Sequence, residues 1–256
     1  MEIEVMDDAN LAARKAAAVI AGDARAAVAQ RNRFIFAVSG GLTPWVMLRA
    51  LASETLPWER IQVVQVDERV APAGDPERNL THLGENFFER APIRSEQVYA
   101  MPVESADLKA AAARYALTLQ EIAGSPSVLD LVHLGLGHDG HTASLVPGDP
   151  VLDVTDADVA LTGTYQDRPR MTLTYPILNR SRRILWLVTG TDKAEMLVRL
   201  LDGDASIPAG RISRERALVI ADRAAAEKIK KDGCCNFTTT RGGDHFSRHS
   251  EKDFPC

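Results

Sequence analysis

Reactive side chains are densest just after an apolar run, where Leu129-Asp130-Leu131-Val132-His133-Leu134 gives way to Gly135-x-Gly137-His138-Asp139-Gly140-His141-Thr142-Ala143-Ser144. Glycines at such a break let the backbone turn sharply and approach a ligand, and a histidine supplies a group that titrates near neutral pH. A strand end with a solvated histidine is the plainer reading, but the concentration of polar groups after the glycines marks a site. His133, inside the apolar run, belongs to the core or the sheet face.

A second stretch, Ser39-Gly40-Gly41-Leu42-Thr43-Pro44, follows another apolar run. Consecutive backbone N–H groups and two hydroxyls at a helix N-terminus form a cradle for a phosphate monoester, or simply a capped helix start. No Gly-Lys-Ser/Thr follows, so it is not a nucleotide P-loop. Arg69, Arg170 and Lys193 each fall at or near an expected strand end or helix start, where cations can converge on an anion; singly, each reads as a solvated surface charge. Gly135-x-Gly137-x-x-Gly140 formally matches a dinucleotide fingerprint. Asp139 would then sit where pyrophosphate should lie, and Pro147-Gly148 interrupts the helix that motif requires. No Gly-x-Ser-x-Gly elbow is present, and the body of the chain holds no cysteine nucleophile.

The elements that must carry these groups alternate. Strands are expected at Ile3 to Met6, Arg33 to Val38, Ile61 to Val66, Leu129 to Leu134, Asp158 to Thr164, Arg170 to Thr174, Arg183 to Thr189 and Ala217 to Ile220. Helices are expected from Asp8 or Asn10 to Gln30, from Pro44 to Leu51, after Asn79 as a cap, from Ser105 to Gly124, from Gly190-Thr191 to Leu201, and from Arg223 to Lys231. Leu108, Ala112, Tyr115, Leu119 and Ile122 recur at helical spacing. This alternation predicts an α/β domain with a largely parallel, doubly wound sheet and helices on both faces, with ligands at the carboxyl ends of the strands. Residues 1–231 are expected to form one α/β catalytic domain and 232–256 a flexible tail.

Of 256 residues, 45% are hydrophobic and 25% charged, and the net charge of −5 offers no basic field for general nucleic-acid binding. No apolar run approaches a membrane span, and the acidic first ten residues lack the pattern of a secretory leader. Cys234, Cys235 and Cys256 all lie in the last segment, so the body fits a reducing cytoplasm. His245 and His249 could join those cysteines around a metal, although Cys234-Cys235 lacks the gap of common zinc knuckles.

Ser39-Gly40-Gly41-x-Thr43-Pro44, Asp67-Glu68-Arg69, the Gly135–Ser144 block and Gly190-x-x-Lys193 together resemble the 6-phosphogluconolactonases over roughly residues 1 to 230. Their superfamily of sugar-phosphate isomerases, Rossmann-like in fold, also includes glucosamine-6-phosphate deaminase. The resemblance implies a cytoplasmic enzyme of the oxidative pentose phosphate pathway that hydrolyses 6-phospho-D-glucono-1,5-lactone. It implies no metal or organic cofactor and a sugar phosphate as partner, with neither nucleic acid nor membrane. The sequence leaves the oligomeric state open, with a monomer favoured. His141 takes the place of the general base, Asp139 that of its orienting or loop-bracing partner, and Asp67 that of the carboxylate a deaminase would use. Ser39, Gly40, Gly41, Thr43, Arg69, Gly137, Arg170 and Lys193 fall in substrate-binding places, and His138 in a variable loop position. Leu42 stands where the family usually has a small polar residue, and Arg78 where serine is common. A lactone is an activated ester, so a neutral histidine, water and a few cations suffice, without a covalent intermediate. The alternatives are a deaminase and a non-catalytic sugar-phosphate sensor. A deaminase would need a second acid five residues after His141, where this chain has Val146.

Overall fold

The computed structural model describes residues 1–229 and the backbone of 237–239. In chain order the elements are β1 (Glu2–Met6), α1 (Ala9–Arg31), β2 (Phe34–Val38), α2 (Leu42–Ala52), β3 (Ile61–Gln65), β4 (Asp67–Arg69) and α3 (Asn79–Leu83). They continue as β5 (Val98–Tyr99), α4 (Leu108–Ala123), β6 (Leu131–Leu134), β7 (Val159–Leu161), β8 (Arg170–Leu173), α5 (Tyr175–Arg180), β9 (Ile184–Val188), α6 (Ala194–Asp202), β10 (Ala217–Asp222) and β11 (Phe237–Thr239).

The main sheet is parallel throughout, in the order β11-β1-β10-β9-β6-β2-β3-β5. Its central strands β2, β6, β9 and β10 are buried along their whole length because helices cover both faces. On one side α1 lays a stripe of Ala12, Ala13, Ala16, Ala17, Ile20, Ala21, Ala24 and Ala27 against the sheet, beside Trp45, Met47 and Leu48 of α2. On the other, α4, α5 and α6 bury Tyr115, Leu119, Ile177, Leu178, Leu197 and Leu200. Asp8 caps α1 by accepting from the Leu11 N–H at 2.8 Å, and Asn32 closes it in the left-handed conformation.

From β2 the chain winds outward through β3 to β5, then returns to β6 on the opposite flank of β2 and winds the other way through β9 to β10. β2 and β6 are therefore neighbours whose connections leave in opposite directions, and the crevice between their carboxyl ends is the topological switch point of the sheet.

Several expectations are corrected. Residues around 158–164 and 170–174 do not join the parallel sheet; β7 and β8 form a separate three-stranded antiparallel sheet with β4. Helix α2 begins at Leu42, two residues before Pro44, which sits within the first turn where its missing N–H costs nothing. Residues 223–228 form turns rather than a helix: the Asp222 carboxylate accepts from the Ala225 N–H at 2.7 Å and its carbonyl from the Ala226 N–H at 3.0 Å, and that single turn passes to a three-residue bond from Ile229 to Ala226. Of the segment expected to be a tail, β11 runs beside β1; the histidine and cysteine positions considered for a metal lie outside the described residues. No described helix is long and apolar enough to cross a membrane.

Candidate active site

Four strands deliver the site. β2 leads directly to Ser39, β3 leads through Val66 to Asp67 and Arg69, β6 leads directly to Gly135, and β9 leads through Gly190 to Lys193 on a single 3-10 turn. With Arg170 from β8 they line a cavity of about 210 Å³ formed by Ser39, Gly40, Gly41, Asp67, Arg69, Asn79, Gly135, Leu136, Gly137, His141, Ala143, Arg170 and Lys193. A larger apolar groove of about 830 Å³ between α4 and β7 lacks such a convergence of polar groups on a strand end.

The loop after β6 folds back on itself: the Gly137 N–H donates to the His141 carbonyl at 2.8 Å, and the Gly140 N–H to the Gly137 carbonyl at 3.1 Å. Inside this loop Asp139 Oδ1 accepts from the His141 N–H at 3.1 Å and lies 2.6 Å from His141 Nδ1. Partial burial works against the ionised carboxyl, but the His141 charge and its hydrogen bonds outweigh it and hold Asp139 below its ordinary value. An ionised carboxylate only accepts, so Nδ1 carries a proton, and in the neutral ring the lone pair is then on Nε2. Gly137 is required by close approach: a Cβ there would overlap the His141 ring and the Asp139 carboxylate.

Asp67 is buried in the lining, accepting from the Ser144 hydroxyl at 2.5 Å and from Asn79 Nδ2 at 3.4 Å. Asn79 also takes the Arg69 guanidinium on its Oδ1, so one amide fixes both an acid and a cation. It does not cap α3. That task falls to Glu68, fully buried, whose two oxygens accept from the Asn79 and Leu80 N–H groups at 2.8 Å each. Arg78, where serine is common in the resembled family, lies behind Glu68 and reaches Glu104.

Burial depresses the Arg170 guanidinium below its ordinary value, with the Asp67 charge opposing the shift and nearby Arg69 reinforcing it. Its Nε is buried without a hydrogen-bond partner among the described residues. Tyr165 joins the site with no motif in the sequence to mark it. Its hydroxyl stands 3.3 Å from Asp139 Oδ2, its ring meets His141 edge-on at 5.5 Å, and Arg170 lies 4.9 Å from the ring centre.

The cradle is leaner than expected. The Ser39 hydroxyl donates to the His133 carbonyl at 3.0 Å and its N–H to His133 Nδ1 at 3.4 Å, while Thr43 bonds Thr189 at 2.7 Å and does not line the cavity. The N–H groups of Gly40 and Gly41 have no partner among the described residues and remain the free donors. His138 is exposed, as a loop residue would be, and His133 is fully buried in the core.

A parallel sheet wound both ways, with cations and a carboxylate-held imidazole at its switch point, defines an α/β class suited to small anionic ligands. Within that class the chain belongs to the family described as glucosamine-6-phosphate isomerases/6-phosphogluconolactonase, whose model matches residues 7–220. It is 32% identical over 237 residues to the 6-phosphogluconolactonase of Synechocystis sp., covering 90% of this chain and 98% of that protein. To the 6-phosphogluconolactonase of Mycobacterium tuberculosis it is 34% identical over 241 residues, covering 89% and 98%. Among solved structures, the Thermotoga maritima 6-phosphogluconolactonase matches with a TM-score of 0.74 at 27% identity, covering 86% of this chain and 99% of that one. A monomeric glucosamine-6-phosphate deaminase matches with a TM-score of 0.77 at 21% identity over 89% and 99%, a likeness of fold alone.

Proposed function

We propose that this chain hydrolyses 6-phospho-D-glucono-1,5-lactone to 6-phospho-D-gluconate, with His141 as the general base. The observation that carries the reading is the Asp139–His141 pair at 2.6 Å, set on a cavity that also holds Arg69, Arg170 and Lys193. Nε2 of the neutral imidazole takes a proton from water, and the oxygen attacks the lactone carbonyl carbon. Negative charge growing on the carbonyl oxygen is met by cations in a small, partly dehydrated space. As the ring C–O bond breaks, the imidazolium returns its proton to the departing oxygen. The Gly40 and Gly41 N–H groups, with Lys193 and Arg170 or Arg69, hold the phosphate.

The deaminase reading draws support from the buried Asp67 in the cavity, where a proton-shuttling carboxylate belongs. Against it, the position five residues after His141 is Val146, buried and apolar, which can neither relay a proton nor orient an imidazolium. The deciding experiment measures acid release from freshly prepared 6-phosphogluconolactone, corrected for spontaneous opening, beside ammonia release from glucosamine 6-phosphate. Lactone turnover without ammonia is expected. Ammonia at a comparable rate would overturn the reading, and tight binding of both sugars with no turnover would indicate a sensor.

A further inference from the structure

The hairpin between β7 and β8 ends in Tyr165-Gln166-Asp167-Arg168, where the Tyr165 N–H donates to the Arg168 carbonyl at 3.0 Å. Gln166 and Asp167 both adopt left-handed backbone, with φ of 51° and 65°, the pattern of a tight type I′ turn. Glycine or asparagine would adopt that turn with less strain, so side-chain contacts must hold this tip. Arg168 pairs with Asp75 at 3.2 Å and with Glu77 on the facing loop, and Arg170 Nη2 donates to Gln166 Oε1 at 2.8 Å. The clasp sets Tyr165 against the Asp139–His141 pair.

The geometry points to Tyr165 as a positioning residue for the base: its hydroxyl shares the Asp139 carboxylate with the His141 ring, and its own ring links that pair to Arg170. Burial and the neighbouring Asp139 charge both raise the phenol above its ordinary value, so it stays protonated and is the donor. Its hydrogen bond draws charge from Asp139 Oδ2 and so moderates the stabilisation that Oδ1 gives an imidazolium. Besides Asp139 and Tyr165, the charged groups sharing the cavity with His141 are Asp67 and Arg69 of β4, Arg170 of β8 and Lys193 after β9. None of these is hydrogen-bonded to the imidazole among the described residues.

The inference rests on His141 being the base, so its test needs a readout separate from turnover. The His141 ring titration is followed by NMR in the full chain, assigned by its loss in His141→Ala, together with the pH profile of kcat/KM on 6-phosphogluconolactone. Tyr165→Phe keeps the ring and loses the donor. The imidazole midpoint should then move to higher pH by about half a unit, within what one hydrogen bond to a charged neighbour produces. The acid limb of kcat/KM should move with it while KM stays nearly constant. In an Asp139→Asn background the same substitution should leave the midpoint where it is. Tyr165→Ala, which also removes the ring beside Arg170, should raise KM where Tyr165→Phe does not. An unchanged midpoint in a folded Tyr165→Phe protein would overturn the assignment, as would an equal shift without the Asp139 carboxylate. A shifted midpoint in a protein that turns over no lactone would refute the proposed reaction and leave the positioning role standing.

Discussion

A histidine removes a proton from water only while one ring nitrogen is a free acceptor, and in this chain Asp139 secures that by occupying Nδ1. His141→Ala should therefore lower kcat by about 10²- to 10⁴-fold with a smaller change in KM, the usual effect of losing a general base. Activity should also decline on the acid side, since a protonated ring has nothing to accept with. Steady-state kinetics that retained most of kcat would end the assignment. Lys193 poses a separate question, because its nearest described partner is the exposed Asp192, 2.9 Å away on the same turn. A pair whose acid stands in solvent contributes little to stability, which leaves the half-buried ammonium available to an anion. Lys193→Ala should weaken kcat/KM for the phosphorylated lactone by about 1.5 to 3 kcal/mol, the range for a charged hydrogen bond. Unphosphorylated gluconolactone should be a poor substrate that hardly notices the change. Equal losses on both lactones would mean that Lys193 does not meet the phosphate.

Strands with continuous apolar runs, such as Phe34–Val38 and Ile184–Val188, were readable because a strand covered on both faces has one composition signature. The antiparallel sheet was hidden for the opposite reason. β4 is Asp67-Glu68-Arg69, three charged residues whose strand state comes from pairing with β8 and not from their own pattern. Tyr165 was hidden likewise, since a hairpin tip has no periodicity to read. The clamp made by Asn79 was also out of reach: it brings Arg69 and Asp67 together across ten and twelve residues of chain, a spacing that means nothing until α3 is docked on Glu68. One consequence can be tested at the β2–α2 turn. A Cβ on Gly40 would overlap Asn79 Oδ1 and lie 2.8 Å from its Cγ, so the turn and the clamp cannot both keep their places. Gly40→Ala should reduce kcat/KM by about 10²-fold, the cost of misplacing a binding group by roughly 1 Å. Kinetics of the folded variant within a few-fold of the parent would show that the amide is not needed there.

At the scale of the whole molecule, one buried residue joins the two halves of the sheet at the switch point. His133 of β6 receives the Ser39 N–H on Nδ1 and the Ser39 hydroxyl on its carbonyl, so the strand that leads into the His141 loop also fixes the turn after β2. With Nδ1 accepting, the proton sits on Nε2, which is buried and has no partner among the described residues. Burial pushes the His133 imidazole down to about 3, so the folded protein keeps it neutral where an unfolded chain would protonate it near 6.5. Between those two values the unfolded state binds one more proton. Stability is therefore complete above pH 6.5 and falls as the pH drops toward 3, by about 1.4 kcal/mol per pH unit from this group. Urea unfolding of the parent from pH 8 to pH 4 should carry this contribution only below about pH 6.5. His133→Gln, which can still accept from Ser39, should be less stable at pH 8 yet flatter by one proton's worth between pH 6 and pH 4. Parallel curves for the two proteins would mean that His133 is not held neutral by the fold.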